Sequence, residues 1–171
     1  FSQTLIQQID TMSAIASAFS QFAAMPTGQS ERLNVTATVQ RALELYKDAP
    51  IALDADKTYY AQLDTTQLVR IVNNLMSNAI EACTEASKPS ILVSLFGDKK
   101  WVYLSVEDNG KGISEALQER IFEPTFTTKT SGMGLGLSMV KSIVETYGGA
   151  VKFESNPDVA TRFEVRFPRI D

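Results

Sequence analysis

The feature that most restricts this chain is a glycine-rich run, Gly132-Met133-Gly134-Leu135-Gly136-Leu137, opening an apolar helical stretch that reaches Tyr147. A side-chain-poor loop feeding a helix N-terminus presents unpaired N–H groups and the positive end of the helix dipole, which suits an anion. Two familiar glycine signatures do not fit. No strand directly precedes the run and its third glycine is wrongly spaced for a dinucleotide fingerprint, and the Gly-Lys-Ser/Thr of a P-loop is absent. Alone, such a run is weak evidence, and its meaning depends on what accompanies it.

Three further motifs precede it in fixed order. Asn74-Leu75-Met76-Ser77-Asn78-Ala79-Ile80-Glu81-Ala82 lies on a helix expected from an Asp64 N-cap to about Ala86. Leu68, Val72, Leu75, Ala79, Ala82 and Cys83 make its buried stripe, and Asn74, Asn78 and Glu81 share another face, extended by Gln67 and Arg70. Two neutral amide oxygens one turn apart suit Mg²⁺, a hard ion that keeps several waters. Taken alone, a solvated polar face is the commoner meaning of such a row.

Next comes Glu107-Asp108-Asn109-Gly110-Lys111-Gly112-Ile113, directly after a strand. The two glycines let the backbone bend and approach a ligand, and a carboxylate held there can accept from an exocyclic amine such as a purine supplies. The bland alternative is turn chemistry, which Asp-Asn-Gly also serves. The third motif, Ile121-Phe122-Glu123-Pro124-Thr125-Phe126-Thr127-Thr128-Lys129, offers two aromatic anchors for a loop whose Thr and Lys could reach phosphates. An ordinary surface loop with buried anchors would read the same way.

Taken together and in order, the four motifs resemble the N box, first glycine box, F box and second glycine box of sensor histidine kinases. These belong to the ATPase superfamily of gyrase, heat-shock chaperone, mismatch-repair ATPase and histidine kinase. The match runs from about Asp64 to Tyr147, and the element order of residues 33–171 agrees with the family. The resemblance implies an α+β fold of Bergerat type, a two-layer sandwich whose mixed sheet is covered on one face by helices. It implies ATP and Mg²⁺ as cofactors. Asn78 and Asn74 would be the metal ligands and Asp108 the adenine reader. Gly110, Gly112, Ile113, Gly132, Gly134, Leu135, Gly136 and Leu137 would shape the pocket. Residues 122–132, from Phe122 to Gly132, would form a lid bringing Thr128 and Lys129 to the terminal phosphates, and Asn74 and Lys129 would serve the transfer itself.

One position discriminates within the superfamily. ATP-hydrolysing members carry a Glu one turn before the metal-binding Asn, where it activates water. Here that place is Asn74, whose amide cannot take a proton. A kinase, whose nucleophile is not water, is therefore favoured over a hydrolase. The alternatives kept open are an ATP-hydrolysing member, marked by sustained turnover to ADP, and a non-catalytic module, marked by a folded domain that binds no nucleotide.

The rest of the chain sets the surroundings. Leu5, Ile9, Met12, Ala16, Phe19 and Ala23 recur at 4-3-4-3-4 spacing, a heptad seam wider than one helix can bury alone. With the linker at residues 26–32, residues 1–25 resemble the second dimerisation helix of nitrogen-regulation sensor kinases, leaving 33–171 as the catalytic domain. A short strand is expected at 33–35, then a helix capped by Thr36 or Thr38 and running to Lys47. Two strands follow within 51–63 around a 54–57 turn, then a hairpin of 91–96 with 101–106, and a short helix near 115–120. Two closing strands fall at 151–154 and 161–167, where Phe163, Val165 and Phe167 alternate with Arg162, Glu164 and Arg166.

The net charge is −4 with signs interspersed, so no nucleic-acid footprint is present. No apolar run approaches the roughly 20 residues of a membrane span. Cys83 is the single cysteine, and there is no histidine. Phe1-Ser2-Gln3 reads as the cut end of a longer protein. The resemblance then implies a phosphoacceptor helix upstream, a homodimer in the longer protein and a response-regulator receiver domain as partner. It places this domain in the cytoplasm, with membrane anchoring of the longer protein left open. The expectation is a chain that binds ATP without phosphorylating itself.

Overall fold

The computed structural model describes residues 29–124 and 134–171, together with Ile9, Met12, Ala16 and Ser20. Half of the heptad seam, Leu5, Phe19 and Ala23, therefore lies outside the described residues. Its three described members, Ile9, Met12 and Ala16, are helical and exposed, Ile9 by 60% and Met12 by 71%.

The described elements run β1 (Glu31–Asn34), α1 (Val35–Leu43) with a 3₁₀ turn (Glu44–Tyr46), β2 (Ile51–Ala55) and β3 (Tyr60–Leu63). Then come α2 (Thr65–Ala82), β4 (Ile91–Gly97), β5 (Trp101–Asp108), α3 (Glu115–Gln118), α4 (Gly136–Thr146), β6 (Ala150–Asn156) and β7 (Ala160–Ile170). The seven strands make one mixed sheet in the order β1-β3-β7-β5-β4-β2, with β6 also paired to β7. Strand β7 is long enough that β6 and β3 share one of its edges, β6 along residues 160–166 and β3 at Arg169 and Ile170. Among the described strands only β2 and β4 run parallel; the other pairs are antiparallel.

One sheet face carries the core. Alternation puts Val102, Leu104 and Val106 of β5 and Phe163, Val165 and Phe167 of β7 inward, all at most 5% exposed. Helix α2 lays Leu68, Ile71, Val72, Leu75, Met76 and Ala79 on that face, and α4 lays down Val140, Ile143 and Val144. A fully buried aliphatic side chain of this kind stabilises the fold by about 1.5–3 kcal/mol. The opposite face carries the alternate residues Arg162, Glu164 and Arg166, as the pattern in β7 predicts.

Local chemistry sets the helix ends. Asp64 caps α2 as expected, its carboxylate accepting from the Gln67 N–H at 3.0 Å. The cap of α1 differs from expectation: Asn34 accepts from the Ala37 N–H at 2.9 Å, and Thr36 and Thr38 lie inside the helix. Both threonine hydroxyls are committed elsewhere. Thr36 accepts from the Tyr59 N–H at 3.0 Å and donates to the Lys57 carbonyl at 3.2 Å, and Thr38 donates back to the Asn34 carbonyl at 2.9 Å. Strands β2 and β3 exist but do not pair with each other; β2 joins β4 while β3 bridges β1 and β7. Helix α2 stops at Ala82, short of Ala86, because the Ala82 carbonyl is taken by the Lys111 N–H at 3.2 Å. Helix α4 ends as anticipated at Gly148, whose φ of 71° is open to glycine.

Candidate functional site

The motifs converge where α2, the start of α4 and the ends of β5 and β7 meet. Asn74 lies mid-way along α2. Its Nδ2 donates to the Arg70 carbonyl one turn back at 2.8 Å, which turns Oδ1 outward. That oxygen faces Gly136, the first residue of α4, where a Cβ would sit 2.7 Å from it. A side chain at 136 would have to displace the Asn74 amide, and glycine lets the helix start approach it this closely. Asn78 is half-buried one turn further along α2. Gln67, in contrast, is buried rather than presented with this row, only 3% exposed, and its Oε1 has no partner among the described residues.

This donor set fits a magnesium–phosphate group. Asn74 offers a hard, neutral oxygen beside the N-terminus of an eleven-residue helix. No group of three or more acidic, His or Cys side chains that could cage a metal by itself occurs among the described residues. A magnesium ion held here would draw most of its remaining ligands from phosphate and water.

Asp108 closes β5 and is 4% exposed. Burial holds its carboxyl above the usual carboxylate range, with neighbouring Glu107 adding to the rise, while the Gly110 N–H donating to Oδ1 at 2.9 Å opposes it. Gly110 presses on the C-terminus of α2: a Cβ there would run into the carbonyl group of Ala82. Gly112 has a φ of 69° and lies against the Asn156 backbone, where a Cβ would collide with the carbonyl oxygen. Ile113, half-buried, donates its N–H to Ser155 Oγ at 2.8 Å.

Phe122 sits on the sheet rather than in a free loop. Its ring meets Phe153 edge-on at 5.9 Å and Phe163 at 6.5 Å, and Ile121 beside it is 7% exposed. The segment that follows is thereby anchored at its start. Thr128, Lys129 and Gly132 fall outside the described residues. Gly134 has a φ of 66°, Leu135 is buried, and Leu137 packs half-buried against the core.

Several residues shape the site that the motifs did not single out. Asn109 straps the β5 end to the α2–β4 connection, its Oδ1 accepting from the Ser90 N–H and its Nδ2 donating to the Lys88 carbonyl, both at 2.8 Å. Gln118 donates to the Ile113 carbonyl at 2.9 Å. Thr161, 3% exposed, pairs with Asp108 across β5 and β7. Two surface hollows, of about 220 and 510 Å³, lie at the α1–β2 corner near Tyr46, and neither is lined by Asn74 or Asp108.

Residues 63–171 match the family model described as "Histidine kinase-, DNA gyrase B-, and HSP90-like ATPase", and the chain belongs to that family. Curated relatives point to its histidine-kinase branch. The signal transduction histidine-protein kinase AtoS of Escherichia coli (strain K12) is 28% identical over 96% of this chain and 28% of its own length. The sensor histidine kinase ZraS of Escherichia coli O157:H7 is 40% identical over 63% of this chain and 23% of its own length. Across the relatives compared, the matched part is between 18% and 38% of their length. The solved catalytic domain of histidine kinase ThkA superposes with a TM-score of 0.72 at 29% identity, covering 82% of this chain and 96% of that domain. Fold and relatives together define an ATP-binding catalytic domain of the histidine-kinase type.

Proposed function

We propose that this domain holds Mg²⁺–ATP in the cleft between α2 and α4 and donates the γ-phosphate to a histidine outside these 171 residues. The observation that carries the reading is the Asn74 amide oxygen set against Gly136 at the α4 N-terminus. It supplies a metal ligand where a water-activating carboxylate would be needed for hydrolysis. Asn78 would share the ion with it. The ion would neutralise phosphate charge during transfer. Asp108, a buried acceptor at the far end of the cleft, would take the hydrogen bond of the adenine amine. Gly134 and Gly136 would let α4 point its N–H groups at the phosphates, and Thr128 and Lys129 would complete the phosphate end.

The chain contains no histidine, so the acceptor must lie on another segment or molecule. On this reading residues 1–25 form part of a dimerisation helix and 33–171 the catalytic domain. The partners are an upstream phosphoacceptor helix in a homodimer and a response-regulator receiver.

The test begins with calorimetry of the purified chain with ATP and Mg²⁺. Binding is expected, with its Mg²⁺-dependent part lost in Asn78→Ala. Incubation with γ-labelled ATP should leave the chain unlabelled, and adding a histidine-bearing dimerisation segment should yield acid-labile phosphohistidine on that segment. Steady ADP release without any acceptor, or stable labelling of the chain itself, would overturn the kinase assignment.

A further inference from the structure

Asp108, Thr161 and Ser155 form a row across three adjacent strands. Asp108 pairs with Thr161 between β5 and β7, and Thr161 pairs with Ser155 between β7 and β6. Directly opposed residues share a sheet face, so the three side chains line up. Two residues inward along each strand, the equivalent row is Val106, Phe163 and Phe153, with the last two rings stacked at 5.9 Å. An apolar floor thus meets a polar edge at this end of the sheet. Phe122 covers the rings of that apolar row, so the polar row of Asp108, Thr161 and Ser155 is what this end of the sheet offers to the edge of a base.

Ser155 closes this row into a ring. The chain leaves β5 at Asp108, runs through residues 109–113, and returns to the far end of the same row, where the Ile113 N–H donates to Ser155 Oγ at 2.8 Å. Ser155 Oγ also lies 2.8 Å from Thr161 Oγ1 and can donate to the Ala160 carbonyl at 3.3 Å. Its hydroxyl, one donor and two lone pairs, is therefore fully used by loop and strand. The β6–β7 turn backs the same loop: the Asp158 N–H donates to the Lys111 carbonyl at 2.8 Å, and Gln118 Nε2 spans the Ile113 and Ser155 carbonyls at 2.9 and 3.3 Å.

We propose that Ser155 is a positioning residue for the base end of the nucleotide cleft, fixing the Thr161 hydroxyl and the 109–113 loop around Asp108. This rests on the reading of Asp108 as the acceptor for the adenine amine. Ser155 acts through its neighbours and serves base recognition; the magnesium–phosphate end, carried by α2 and α4, is untouched by it.

The test uses Ser155→Ala, with Ser155→Cys as a second variant of nearly equal volume and poor acceptor strength in case the first folds badly. Calorimetry with ADP is expected to show about tenfold weaker binding for each folded variant. The preference for ATP over GTP should fall, while the ratio of ATP affinities with and without Mg²⁺ stays at the wild-type value. Because Ser155 acts through the base reader, Ser155→Ala in an Asp108→Asn background should cost less than twofold. The inference fails if wild type binds ADP and Asp108→Asn weakens it, yet both Ser155 variants keep affinity and base preference. It fails equally if the Ser155 and Asp108 losses multiply. If wild type binds no adenine nucleotide, the nucleotide reading itself falls and this inference with it.

Discussion

Replacing Asp108 by Asn separates binding from folding, because the two respond to it with opposite sign. The carboxylate is 4% exposed and desolvation holds its pKa up, so its charge is a burden on the empty fold. The Gly110 N–H bond to Oδ1 can survive in Asn, whose carbonyl oxygen takes the same place. Stability should therefore hold or rise slightly, within about 1 kcal/mol. Binding should not hold. The second carboxylate oxygen becomes an NH₂ donor facing the adenine amine, itself a donor, so a charge-assisted bond is lost and a donor is left unmatched. That costs about 1.5–3 kcal/mol, or about 10- to 150-fold in affinity. Calorimetric titration with ADP measures the affinity, and scanning calorimetry of the empty protein measures the stability. Wild-type affinity in the variant would refute the assigned role. A parallel loss of stability and affinity would show that Asp108 holds the fold and does not read the base.

The raised pKa of Asp108 predicts a pH linkage. Its stabilising contribution to the empty fold is fully present below the ordinary carboxylate value of 3.8 and is lost as pH rises through the raised native value. Urea melts across that window should show the loss in wild type and not in Asp108→Asn. On the proposed role of Asp108, bound adenine would favour the ionised form, so ADP binding in the same window should release protons, seen as a buffer-dependent binding enthalpy. Gly110→Ala drives a Cβ into the Ala82 carbonyl group and should cost about 3 kcal/mol or more, read as a lower urea midpoint; a cost under 0.5 kcal/mol would mean that this contact is not tight. Phe122→Ala removes a half-buried ring from the Phe153–Phe163 cluster and should cost about 2–3 kcal/mol by thermal melting, with faster hydrogen exchange in residues 134–137 if the anchor also orders the far end of the loop.

The parts of the site that were legible in the sequence are those whose chemistry is local. Asp64 announces a helix start because its cap partner, Gln67, is three residues away. The Asn74–Asn78 pair announces a shared helix face by its spacing alone, and the alternation in β7 announces which side is wet. What stayed hidden depends on partners that only the fold supplies. Thr36 looks like a cap until Tyr59, 23 residues on, takes its hydroxyl. Ser155 sits in what reads as a turn, and its partner Ile113 is 42 residues upstream. The pairing of β2 with β4 rather than β3 is likewise a long-range choice, since β3 and the whole of α2 lie in the chain between the two paired strands. The two glycine boxes show both kinds of information at once. Their sequence says that the backbone can bend, and only the structure says what it bends around: the Ala82 carbonyl for Gly110, the Asn74 amide for Gly136. Both neighbours belong to α2. That one helix therefore sets the position of both the proposed base reader and the proposed phosphate-binding turn. A substitution that shifted α2 along its axis would misplace both ends of the nucleotide together, whereas Ser155 and its row can misplace only one.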